Sequence, residues 1–127
     1  MKINSGRARW AGLLKRVQTI KYNARRMTRG NFTTAESLAI LANINETIKK
    51  IDGLQDKLMS WNEALNYMQM SKHYVRKEAG GAEISELEEI ATKRTEKVAG
   101  ELKSAANALS QLVMDYTSKH DVGKQHG

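Results

Sequence analysis

Nine cationic side chains, Lys2, Arg7, Arg9, Lys15, Arg16, Lys21, Arg25, Arg26 and Arg29, precede the first acidic residue, Glu36. Six of the nine are arginine, whose planar guanidinium can form paired hydrogen bonds to phosphate oxygens. The chemistry on offer is recognition of an anion: nucleic acid, an acidic membrane surface or an acidic protein face. The other twelve Lys/Arg stand among all fourteen Asp/Glu, so the net charge of +7 resolves into a strongly basic arm on a near-neutral body. The competing reading pairs the arm with the acidic stretch Glu83, Glu86, Glu88, Glu89, Glu96 and Glu101 of the same chain or of another subunit. Exposed pairs of that kind are individually weak and do not account for nine cations without one acid.

A second group, Tyr67 to Lys77, interleaves aromatic and basic residues. Tyr67 and Tyr74 stand seven apart and share a helix face, with Lys72, Arg76 and Lys77 close by. Aromatic rings among cations can stack on bases. Tyrosines at this spacing also pack, and cations at a helix end also satisfy its dipole.

Catalytic groups are scarce. His73 sits among Lys72, Arg76 and Lys77, and the remaining histidines, His120 and His126, lie in the last eight residues at a spacing that fits no zinc-ligand pattern. Glu88/Glu89 and Asp52/Asp56 are carboxylate pairs without the apolar setting that raises an acid's pKa. Glu86/Glu89 and Glu89/Lys93 are helix-face neighbours. Gly80-Gly81 lacks the lysine and hydroxyl of a phosphate loop. With no cysteine there is no disulfide, thiolate ligand or thiol nucleophile. The expectation is a protein that is not an enzyme, with no cofactor, no metal and no small-molecule substrate.

The elements that must carry these residues are helices. The chain of 127 residues has no proline, where average usage would give about six, and no strand alternation of useful length. In the first helical segment, about Ser5 to Thr28, Trp10, Leu13, Leu14, Val17, Ile20, Ala24 and Met27 recur at three- and four-residue steps and form one stripe. The cations take the rest of the circumference. Arg29-Gly30-Asn31 supplies the stop, with glycine suited to a left-handed position. Thr33-Thr34-Ala35-Glu36 reads as a capping box for a second helix, Thr33 pairing with Glu36. Its stripe runs through Leu38, Leu41, Ile44, Ile48, Ile51, Leu54, Leu58, Trp61, Leu65, Met68 and Val75, keeping phase past Asp52-Gly53. One long helix is therefore favoured over a break there. Ala79-Gly80-Gly81-Ala82 marks a turn, and Ser85 to Glu88 a second capping box. Leu87, Ile90, Ala91, Val98, Leu102, Ala105, Ala106, Leu109, Leu112, Val113 and Tyr116 carry the third stripe to about Lys119.

These observations predict an all-α, single-domain protein over 1–127. The basic arm occupies 1–30, a long helix 33–79, a further helix 84–119 and a mobile tail 120–127. The two long helices form an antiparallel hairpin, and the N-terminal amphipathic helix folds back on it as a three-helix bundle. Trp61, Tyr67, Met68, Met70 and Tyr74 exceed what such a core can bury, which predicts a partner or oligomer surface and favours a homo-oligomer. The anion-binding residues are expected to be Arg7, Arg9, Lys15, Arg16, Lys21, Arg25, Arg26 and Arg29, facing nucleic acid or a nucleoprotein complex. The alternative is a protein-binding inhibitor or assembly module acting through the long helices. A third reading buries Trp10, Leu13, Leu14, Val17 and Ile20 at an anionic membrane surface. No apolar run reaches the ~20 residues of a membrane span, so integral insertion is not expected, and the setting read from the sequence is cytoplasmic. The arm also shares its arginine content and lack of acid with mitochondrial transit segments, although serines are few. The size, the basic helix and the scarcity of catalytic groups would suit a small accessory protein of a virus or mobile element.

Overall fold

The computed structural model describes residues 5–30, 32–72 and 81–125, with side chains placed at 10–30, 32–72 and 83–118. Within these residues the secondary structure is helical: α1 (Ser5–Met27), α2 (Ala35–Lys72) and α3 (Gly81–Gln125). The Ala79–Gly80 part of the expected turn, His73, Tyr74 and His126 lie outside the described residues. At about 1.5 Å per residue the three helices are roughly 35, 57 and 68 Å long. The disparity decides the architecture, because α1 can cover only part of the hairpin.

Helices α2 and α3 share the most extensive packing and run antiparallel. Lys72 Nζ meets Glu88 Oε1 at 3.1 Å at one end, and the Phe32 and Tyr116 rings stack at 5.0 Å at the other. Helix α1 runs antiparallel to α2 and parallel to α3. Lys21 reaches Gln55, Arg16 reaches Asn107, and Met27 Sδ lies 3.9 Å from the Thr117 hydroxyl. Val17 and Ala24 of α1 thereby join Ile44, Ile48, Ile51, Leu54 and Leu58 of α2 and Val98, Ala99, Leu102, Ala105, Ala106 and Leu109 of α3 in one core. Trp10, Leu13, Leu14, Ile20 and Met27 pack half-buried against it. Toward the Lys72 end, Leu65 of α2 and Ala91 of α3 are buried outside that cluster.

Helix ends depart from the sequence reading in three ways. The cap of α2 is Thr34 paired with Ser37, one residue later than expected. Thr34 Oγ1 accepts from the Ser37 amide at 3.0 Å, and Ser37 Oγ accepts from the Thr34 amide at 3.1 Å. Ser37 is buried there, so the short hydroxyl serves where a longer glutamate side chain was expected. At the end of α1, Arg29 N donates to the Arg26 carbonyl at 3.2 Å and Gly30 N to the Met27 carbonyl at 3.0 Å. The last turn tightens into 3₁₀ geometry, and Gly30 does not adopt the left-handed conformation expected of it. Helix α3 starts at Gly81, ahead of the Ser85 box, and continues past Lys119 to Gln125. Helix α2 runs without interruption through Asp52-Gly53.

Candidate nucleic-acid interface

The cations of α1 divide according to the helical period. Val17, Lys21 and Ala24, at steps of four and three, are buried against the hairpin. Lys15, Arg16, Arg25, Arg26 and Arg29 are exposed. Arg7 and Arg9 belong to the first turns of α1, and their side chains lie outside the described residues.

Lys21 departs from the sequence reading. It is 6% exposed, its ammonium forms an ion pair with Asp52, and it donates to Gln55 Oε1 at 3.3 Å. It is thus a fastening between α1 and α2, and its charge is turned inward. The physical reason is its place on the apolar stripe: a long aliphatic stem can be buried there while the terminal amine reaches a carboxylate.

Two exposed arginines also touch the body. Arg16 Nη2 donates to Asn107 Oδ1 of α3 at 2.7 Å, a neutral partner that orients the guanidinium without cancelling its charge. Arg25 Nη2 lies 3.7 Å from Asp52, with its own side chain 55% exposed. Of the described arm cations, Lys21 and Arg25 therefore share a single carboxylate, Asp52.

Lys15, Tyr22 and Arg26 follow one another at seven and four residues and occupy the side of α1 turned from the hairpin, and Arg29 is exposed in the turn just beyond it. Tyr22 is 63% exposed, and the Arg26 guanidinium carbon lies 6.0 Å from its ring centroid. The sequence reading did not single out Tyr22, although its four-residue step to Arg26 was visible. It named Asp52 only in a carboxylate pair and a turn signal and did not name Asn107, because the roles of both depend on the pairing of α1 with the other helices. Between α1 and α3 a groove of about 470 Å³ is lined by Trp10, Gly12, Leu13 and Arg16 on one side and Glu96, Ala99, Gly100 and Lys103 on the other. Its charges are mixed in sign.

The aromatic and methionine group on α2 does not form one face. Tyr67 and Met70 are exposed, at 74% and 41%. Trp61 and Met68 are half-buried on a different flank, and Arg94 stacks over the Trp61 ring at 5.8 Å. Two apolar residues of the expected α3 stripe, Leu87 and Ile90, are instead more than half exposed.

Among the described residues no group of three or more His, Cys, Asp or Glu could hold a metal ion, and no helix is long and apolar enough to cross a membrane. No protein-family model, no curated protein and no solved structure matches the chain.

Proposed function

We propose that the protein is a non-enzymatic nucleic-acid-binding module that lays the outer face of α1 along a phosphate backbone and self-associates through its long hairpin. The observation that carries the reading is the run of exposed Lys15, Arg16, Arg25 and Arg26 on a helix free of acids, with Arg29 exposed in the turn that follows it. Cations at such spacing displace counterions from a polyanion, and that release supplies affinity without sequence preference. The half-buried packing of Trp10, Leu13, Leu14 and Ile20 on the core argues against the membrane alternative, which needs those side chains turned outward.

The test is fluorescence anisotropy of the full chain with labelled duplex and single-stranded DNA and RNA at low salt. Binding is expected, and the double variant Lys15→Glu/Arg26→Glu is expected to weaken it at least tenfold with helicity unchanged. These two positions are chosen because Arg16 and Arg25 also tie α1 to the body. Absence of binding to every oligonucleotide at low salt would end the reading. A second reading, a protein-binding module, draws on the exposure of Tyr67 and Met70. A partner that stays bound after nuclease treatment would favour it.

A further inference from the structure

We infer that the protein forms a two-fold symmetric dimer along the outer edge of α3, where the stripe Glu83, Leu87, Ile90, Arg94 and Lys97 of one copy runs antiparallel to the same stripe of a second. The inference rests on the self-association part of the reading above and gives it a surface and a register.

The five residues recur at steps of four, three, four and three, the spacing of a seam on one side of a helix. At its middle, Leu87 and Ile90 are 53% and 51% exposed, two large aliphatic side chains one turn apart. Helix α1 meets α3 through Ala99, Lys103 and Asn107, on the other side of the helix, so it leaves this edge open. The half-buried Trp61, held under Arg94, extends the apolar strip onto α2.

The charge order identifies the occupant. The seam is acidic at Glu83, aliphatic at its centre and basic at Arg94 and Lys97. Reversed and laid on itself with Ile90 against Ile90, it sets Glu83 opposite Lys97 of the second copy and Leu87 against the aliphatic stem of Arg94. Two-fold symmetry makes each contact twice, as an isologous interface requires. A parallel pairing would instead set Glu83 on Glu83 and Lys97 on Lys97. Neither Glu83 nor Lys97 forms a salt bridge among the described residues, so both are available to a neighbour.

The mass of the full chain by sedimentation and light scattering tests this, and a dimer is expected. Ile90→Asp should give a monomer with unchanged helicity, since the side chain is half in solvent. Glu83→Lys and Lys97→Glu should each weaken the dimer roughly tenfold, because each turns two opposite-charge contacts into like-charge ones. An equimolar mixture of those two variants should recover association, as both contacts are then complementary again. The chain has no cysteine, so Ile90→Cys should cross-link to itself on mild oxidation and Glu83→Cys should not. A wild-type monomer overturns the interface together with self-association. A dimer indifferent to Ile90→Asp overturns this interface alone, and a mixture that stays dissociated overturns the antiparallel register.

Discussion

Lys21 shows how one position can carry opposite meanings in composition and in space. Counted with its neighbours it adds to a basic arm, but it lies four residues after Val17 and three before Ala24, on the stripe that is buried. The ammonium's side chain is 8% exposed and that of its partner Asp52 is 44% exposed. This asymmetry sets the energetics. Asp52→Ala would strand a buried cation with only the neutral Gln55 amide oxygen near it among the described residues and is expected to cost about 1–3 kcal/mol. Lys21→Met keeps the apolar stem, leaves Asp52 access to water, and is expected to fall within about 1 kcal/mol of wild type. Denaturant midpoints of the two variants check the contrast. Asn62 is a second buried polar residue. It is 2% exposed, and neither atom of its amide has a hydrogen-bond partner among the described residues. Thr95, equally buried on α3, is satisfied by its own helix through a 2.7 Å bond to the Ala91 carbonyl. An unmet amide costs stability, so the interior around Asn62 is less fully satisfied than that around Thr95.

Among the elements, α2 was the most legible from sequence. Its three- and four-residue steps keep phase across Asp52-Gly53, and the helix is continuous there. Asp52 would serve a turn, but it is needed as the carboxylate for Lys21 and Arg25. A Cβ built on Gly53 would meet nothing within 4 Å, so Gly53→Ala removes backbone freedom without a clash. It is expected to stabilise the protein by about 0.5–1 kcal/mol, read as a raised thermal midpoint. Helix ends were less legible, because adjacent threonines at 33 and 34 can both cap and the choice turned on which following side chain was buried. The buried one was Ser37. The end of α3 was placed too early because the apolar stripe fades near Lys119. Losing that stripe removes a reason for burial but leaves the backbone hydrogen bonds, and the helix continues. Periodicity placed Leu87 and Ile90 on the α3 stripe, but both are more than half exposed. It could not tell that α1 packs on the other side of α3, so the candidate self-association edge was invisible until the helices were assembled.

At the scale of the whole molecule, the proposed interface is a patch of charge, and its signature is salt dependence. If the five exposed cations Lys15, Arg16, Arg25, Arg26 and Arg29 each neutralise one phosphate, affinity is expected to fall roughly a hundredfold for single strands and roughly five-hundredfold for duplex DNA between about 50 and about 200 mM salt. A fall of only about tenfold would assign two or three of them to the contact, and a flat profile would remove phosphate as the ligand. Anisotropy titrations at several salt concentrations make the measurement. The cationic character of the arm was legible from charge order alone, whereas its division into outward and inward cations required the packing. The unequal helix lengths carry one more consequence. From Ile44 to Leu58, α2 lies in the core that all three helices share, but α1 at 23 residues cannot accompany all 38 residues of α2, and Leu65 is buried outside that cluster. One unbroken backbone therefore spans two local stabilities: its far turns can fray and re-form, and trade amide protons with water, while the guarded turns stay shut.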